Sequence, residues 1–146
     1  MHFHLSTQFP NSFADPFFKT SEQTWDYNCI AWAYGINDKW LWPIKSSMLP
    51  NAYWPPTVPA IVHTDSFIKL FEEIGYVICD NGVLEEGFEK VALFEKSNIP
   101  TNAAKQLANG VWSSKLGAYF DASHSLNCAS AGEYGDVSVF MKRQIQ

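Results

Sequence analysis

Positive charge is scarce in this sequence of 146 residues. Ten Lys and Arg are set against fifteen Asp and Glu, for a formal net charge of −5 at pH 7, and the basic residues are spread along the chain. Binding to a nucleic-acid backbone requires a basic patch or stripe. We therefore expect no nucleic-acid partner.

Long apolar runs are also missing. No stretch approaches the roughly 20 residues that span a membrane, and the N-terminal segment MHFHLSTQFPNSFADPF has neither a basic start nor an unbroken apolar core. We therefore expect no signal peptide and no membrane partner. The predicted location is the cytoplasm, with export by a specialised secretion system as the alternative.

Cysteine is too sparse for a disulfide framework or a zinc site. The three cysteines, at positions 29, 79 and 128, are odd in number and lack the C-x-x-C spacing of zinc ligands. Such usage is typical of a reducing compartment. No metal and no other cofactor is expected.

Hydrophobic residues make up 47% of the chain and charged residues 17%, which is typical of a globular domain with its own core. Residues 1–24 are polar and interrupted by Phe and Pro, and they predict an irregular N-terminal arm. Residues 25–146 predict one α+β domain, with helices near 27–34 and 64–75 followed by an antiparallel sheet. Between the helices, residues 36–63 hold so many prolines that a structured aromatic loop is expected.

The pair Asn109-Gly110 is the strongest hairpin signal in the sequence. With these two residues as the loop, Leu107 would oppose Trp112, and every second residue would share a face. One face would then carry the small or polar residues Asn102, Ala104, Gln106, Ser113 and Lys115. A face of this composition suits either a cleft or solvent.

Cys29 stands at the start of a short predicted helix, in the segment TWDYNCIAWAYG. The partial positive charge of a helix N-terminus favours a thiolate and a nearby oxyanion. The same position is also an ordinary place for a small buried side chain. The local pattern therefore leaves a nucleophile and a packing residue as equal alternatives.

Four segments of the chain carry a family resemblance: YNCIAWAYG, EKVALFE, TNAAKQLANGVWSSKLG and YGDVSVFMKR. They resemble an uncharacterised family of small bacterial proteins with a Y-N-C-[IV]-A-W-A motif, which looks like a compact version of the papain-like superfamily of NlpC-type amidases and transglutaminase-like enzymes. The resemblance implies a papain-like α+β fold, with N-terminal helices packed on a C-terminal antiparallel sheet. It also implies a cysteine peptidase, amidase or acyl transferase with Cys29 as nucleophile, serving as a housekeeping enzyme or as a bacterial effector or toxin.

One position departs from the family pattern. The family reads T-H-A-A where this chain reads T-N-A-A, so Asn102 stands where the resemblance places a histidine base. An amide cannot take up a proton near neutral pH, which predicts either an inactivated member or a different base. His124 and Asp121, in FDASHSL, are the alternative imidazole and carboxylate.

Two functions therefore stay open. In the first, Cys29 attacks an amide or ester of a peptide or protein substrate. In the second, the base is lost and the fold binds a peptide or protein partner through its aromatic loop and polar sheet face. The position of an imidazole relative to Cys29 Sγ distinguishes the two. The predicted contacts to substrate or partner are Trp32, Trp40, Trp42, Trp54, Ser113 and Lys115.

Overall fold

The main element of the protein is an antiparallel sheet. A computed structural model describes residues 2–3, 9–13, 17–20, 26–44, 52–115, 121–130, 132 and 134–145. Within these ranges, eight strands are ordered β1-β2-β7-β6-β5-β4-β8-β3. They are β1 (His2–Phe3), β2 (Phe17–Lys19), β3 (Val77–Cys79), β4 (Phe88–Lys96), β5 (Ile99–Gln106), β6 (Trp112–Lys115), β7 (Asp121–His124) and β8 (Asp136–Gln144).

The helices are minor elements. They are a 3-10 helix at Pro10–Phe13, α1 (Cys29–Tyr34), α2 (Thr64–Glu72) and α3 (Leu126–Ala129). Across the described part of the chain, no helix has the length and apolar character needed to cross a membrane.

The predicted papain-like α+β fold is wrong. N-terminal helices packed on a C-terminal sheet are expected from the sequence, whereas the sheet dominates the structure and takes strands from both ends of the chain. β1 and β2, which come from the predicted arm at 1–24, pair with each other, and β2 pairs with β7. Short arm segments become strands only because distant strands accept them, and a local pattern does not show such pairing. The predicted boundary between residues 24 and 25 lies outside the described residues.

Helix α1 begins at Cys29 because Asn28 caps it. Asn28 Oδ1 accepts hydrogen bonds from the main-chain N–H of Ala31 at 3.0 Å and of Leu41 at 3.1 Å. The Asn28 amide also donates to the Leu41 carbonyl at 2.9 Å. Gly35 ends the helix in the left-handed conformation, with φ +106°. One side chain thus caps the helix that carries Cys29 and ties it to the aromatic loop.

Helix α2 follows the predicted helical spacing. Its side chains Phe67, Leu70 and Phe71 are fully buried, and Phe71 packs edge-on against Tyr34 and Tyr76. The N-cap of the helix is His63, whose Nδ1 atom accepts from the Asp65 N–H at 3.1 Å.

Side chains alternate between the two faces of the sheet, and each face has its own core. We call them the α1 face and the α3 face, after the helices that cover them. The α1 face packs against α1 and α2 with Val91, Leu93, Ala103 and Met141. The α3 face packs against α3 and the segment around Phe9 with Phe17, Ala92, Phe94, Ala104, Trp112 and Ala122.

The hairpin between β5 and β6 has a three-residue loop, Ala108–Gly110, one residue longer than predicted. The Leu107 N–H donates to the Val111 carbonyl at 2.7 Å, and the Gly110 N–H donates to the Leu107 carbonyl at 2.9 Å. Gly110 has φ +88°, as the left-handed position of such a loop requires.

The longer loop shifts the register of β6 by one residue. Gln106 therefore pairs with Trp112, whereas the sequence predicts that Leu107 pairs with Trp112. A one-residue shift moves every side chain of a strand to the other face. Ser113 and Lys115 thus lie on the α1 face, whereas the side chain of Asn102 lies on the α3 face. The prediction that the three residues share one polar face is wrong.

Replacing Phe71 with Ala should lower the free energy of unfolding by about 3–5 kcal/mol, because the change leaves a cavity in the core of the α1 face. Urea denaturation measures this loss. The exposed neighbour Glu72→Ala is the control, with an expected change within about 0.5 kcal/mol. A loss below about 1 kcal/mol for Phe71→Ala would contradict the packing of α2.

Candidate functional site

Cys29 packs against β5 at a point where β5 is no longer paired with β6. The two strands pair near their hairpin, at Lys105 and Gln106, and the start of α1 contacts the free main chain of β5 beyond that point. The Cys29 thiol donates to the Thr101 carbonyl at 3.8 Å, and the Ala103 N–H faces the sulfur. The side chain is 8% exposed.

Burial raises the pKa of the Cys29 thiol to about 11. The main-chain N–H groups of Ala103 and Ile30 and the charge of Lys115 act in the opposite direction, but burial outweighs them. Because the thiolate is the nucleophile, a buried thiol with a raised pKa is inert near neutral pH. In this geometry, burial therefore favours the protonated form of the Cys29 thiol.

Lys115 and Asp121 are cross-strand neighbours on the α1 face and bring opposite charges close to Cys29. Both side chains are buried. The Tyr27 hydroxyl donates to Asp121 Oδ2 at 2.7 Å, and Lys115 Nζ lies 5.5 Å from the centre of the Tyr27 ring. Burial lowers the pKa of Lys115, and the charges of Asp121 and then of Cys29 oppose this effect.

Trp32 completes this group of side chains. Its indole stacks on the Tyr27 ring, with centroids 6.1 Å apart, and its buried Nε1 has no hydrogen-bond partner among the described residues. Ser113 is buried on the same face of the sheet. We call the group the thiol cluster, defined by Tyr27, Cys29, Trp32, Lys115 and Asp121.

The side chains of Asn102 and His124 lie on the α3 face, in a separate polar network. Asn102 Nδ2 donates to Ser114 Oγ at 3.2 Å, and Ser114 Oγ lies 2.7 Å from His124 Nε2. His124 Nδ1 lies 2.7 Å from the Ser125 carbonyl. A carbonyl can only accept, so Nδ1 carries the proton and Nε2 accepts from the Ser114 hydroxyl.

This hydroxyl–imidazole pair has the spacing of a nucleophile and its base, but its side chains are almost wholly buried, although His124 lies at the wall of a surface pocket. Asn102, Ser114 and His124 are 1%, 0% and 2% exposed. The Phe17 ring closes one side of the imidazole at 5.4 Å. A buried network of this kind serves to satisfy polar groups within a core. Ser114 was not singled out from the sequence, because the predicted register placed it among apolar side chains.

The structure thus divides the predicted catalytic residues between two faces. In the described part of the chain, no histidine is hydrogen-bonded to Cys29. Asp121 and His124 are three positions apart on one strand, so their side chains point to opposite faces. Asp121 accepts from Tyr27 and does not orient His124. Among described residues, no three His, Cys, Asp or Glu side chains meet in a way that could hold a metal ion.

The described parts of the aromatic loop form an open surface groove of about 690 Å³. Trp42 and Trp54 line the groove, and both indoles pack on Phe67 of α2, at centroid distances of 5.5 Å and 5.2 Å. Trp40 is partly exposed and is not part of the lining. The other lining residues carry no charge: Pro43, Ala52, Pro55, Pro56, Thr57, Val58, Pro59 and Ala60.

Comparison with known families places the chain in one of them. The model of a domain of unknown function, DUF7689, matches residues 18–142. The chain therefore belongs to this family, which agrees with the uncharacterised family implied by the sequence. No curated protein and no solved structure matches the chain. The thiol cluster, the buried polar network and the groove all lie within the matched range.

Cys29 should react slowly with iodoacetamide in the folded protein, because its pKa of about 11 leaves little thiolate near neutral pH. The partly exposed Cys79 should be labelled first. The labelling rate of Cys29 should rise about tenfold with each pH unit up to about pH 11. Mass spectrometry of tryptic peptides measures both rates, and the unfolded protein is the control. Faster labelling of Cys29 than of Cys79 under mildly acidic conditions would refute the assignment.

Asn102→His should not create a Cys–His pair, because the side chain at position 102 points to the α3 face. The Cys29 labelling rate should stay within about twofold of the parent rate. The larger ring should cost about 1–3 kcal/mol of stability, because position 102 is tightly packed. Asn109→His, in the exposed hairpin loop, is the control. A tenfold or greater rise in Cys29 labelling at low pH, specific to position 102, would show that the two side chains meet.

Proposed function

We propose that this chain is a peptide-binding module and that its ligand occupies the groove between Trp42 and Trp54. The observation that carries the proposal is the groove itself, whose described lining is uncharged and whose two indoles pack on Phe67 of α2. The buried thiol of Cys29 and the lack of a histidine hydrogen-bonded to it among the described residues support a function that does not depend on catalysis.

The groove is preorganised for binding. Proline fixes its own backbone angle, and four prolines line the groove, so little backbone entropy remains to be lost when a ligand binds. The two indoles are held against Phe67 and offer large apolar surfaces at a low entropic cost. The volume of the groove falls within the usual range for ligand sites, about 300–1,000 Å³. Such aromatic anchors are typical of the residues that dominate binding energy.

A thiol hydrolase is the second candidate function, and the charge of Lys115 beside Cys29 favours it. An ammonium group next to a thiol lowers the thiol pKa and can stabilise an oxyanion. In this protein, burial has the larger effect on the Cys29 pKa. The peptide-binding proposal therefore has the stronger support, and the two candidates give different results in one set of variants.

A peptide selected from a random display library should bind the folded protein and shift the NMR signals of the groove residues. Ala60→Arg should weaken this binding at least about tenfold, because a long charged side chain enters an apolar site. Its matched control is Ile61→Arg, a neighbouring exposed residue outside the groove, which should leave affinity unchanged. Isothermal titration calorimetry measures the affinities.

Cys29→Ser separates the two candidates. Peptide affinity should be unchanged in this variant, and the parent protein should show no hydrolysis of fluorogenic esters or amides above a heat-treated sample. Hydrolysis by the parent that Cys29→Ser abolishes would support the thiol hydrolase. Selected peptides whose NMR shifts map away from the groove, or equal weakening by Ala60→Arg and Ile61→Arg, would overturn the peptide-binding proposal.

A further inference from the structure

We infer that the ligand of this groove is a proline-rich segment in the polyproline II conformation, an inference that rests on the peptide-binding function proposed above. It follows from the hydrogen-bonding groups that the lining offers, from the packing of both indoles on one Phe67 ring and from the absence of charge among the described lining residues.

Trp42 supplies the hydrogen-bond donor that is open to a ligand. Its Nε1 makes no hydrogen bond with any described residue and is not among the buried polar atoms that lack a partner, which leaves it accessible from outside. The indole N–H of Trp54 is already used, because it donates to the carbonyls of Val58 and Pro59 at 3.1 Å and 3.2 Å. The Thr57 hydroxyl donates to Glu73 at 2.8 Å, and the prolines have no N–H.

A groove with a free indole N–H favours a ligand that has free hydrogen-bond acceptors and few hydrogen-bond donors of its own. Proline-rich segments meet the condition, because their carbonyls are free and most of their nitrogens carry no hydrogen. The carbonyls of an α-helical ligand would be occupied within the helix. A strand ligand would need a strand edge to pair with, and the described lining contains no element of the sheet.

The spacing of the indoles is compatible with a short polyproline II helix. Trp42 and Trp54 lie 5.5 Å and 5.2 Å from the same Phe67 ring, and the sum of these distances limits their separation to about 11 Å. Three residues of polyproline II span about 9 Å. A segment of two turns is therefore long enough to reach both indoles, in the manner of aromatic grooves that bind proline-rich peptides.

The test uses a peptide of about ten prolines, long enough for several turns of polyproline II, and a Gly-Ser peptide of equal length as its control. The proline peptide should shift the indole N–H signal of Trp42 in ¹⁵N NMR spectra, and the control should not. Trp42→Phe keeps an aromatic ring but removes the donor, and should weaken binding about three- to tenfold, the effect of one hydrogen bond. Trp32→Phe removes an indole N–H outside the groove and should leave affinity unchanged.

The outcomes separate this inference from the function on which it rests. A proline peptide that leaves the Trp42 signal unmoved, while a library-selected peptide without proline shifts it, would overturn the ligand class and leave peptide binding standing. Proline binding that Trp42→Phe does not weaken would overturn the role of the indole donor. Failure of every peptide to perturb the groove would overturn both the inference and the proposed function.

Discussion

The arrangement of polar groups in this protein depends on the hydrogen bond from the Leu107 N–H to the Val111 carbonyl. It closes a loop of three residues, and Gly110 provides the left-handed conformation that the loop needs. The register of β6 against β5 follows from this closure, and β7 then pairs with β6 in the matching register. A shift of one residue would exchange the two faces for every side chain of β6.

Both faces of the sheet are buried, so the register decides which polar groups can satisfy one another. On the α1 face, Lys115 meets Asp121 and the ring of Tyr27. On the α3 face, Ser114 lies between Asn102 and His124 and bonds to both. Breaking a buried charged pair costs several kcal/mol, about 3–5 for removal of one partner. These polar groups therefore belong to two separate cores.

Local sequence signals predicted the local structure. The positions of the two predicted helices and of the β5–β6 hairpin are confirmed. The length of the hairpin loop was wrong by one residue, because Asn-Gly suits two-residue and three-residue loops alike. The papain-like architecture was wrong because β2, which carries β1 on its other edge, pairs with β7, and this pairing connects residues distant in sequence.

The candidate site could be predicted only in part for the same reason. Cys29, Lys115 and Asp121 do come close together, although the expected faces separated Lys115 from the apolar core. Asn102 and His124 were expected near Cys29 and lie on the other face. Trp40, Trp42 and Trp54 were predicted as contacts of the aromatic loop, and the structure places Trp42 and Trp54 in one groove because both pack against Phe67. No pattern in the sequence shows that contact.

The register of β5 against β6 is therefore the feature to measure. In antiparallel strands, the residues of a pair that is not hydrogen-bonded approach each other most closely. Since Leu107 is hydrogen-bonded to Val111, the adjacent pair of Gln106 and Trp112 should give a strong Hα–Hα nuclear Overhauser effect. A strong Hα–Hα effect between Leu107 and Trp112 in its place would put Ser113 and Lys115 on the face of Asn102 and contradict the separation of Cys29 from the imidazole network.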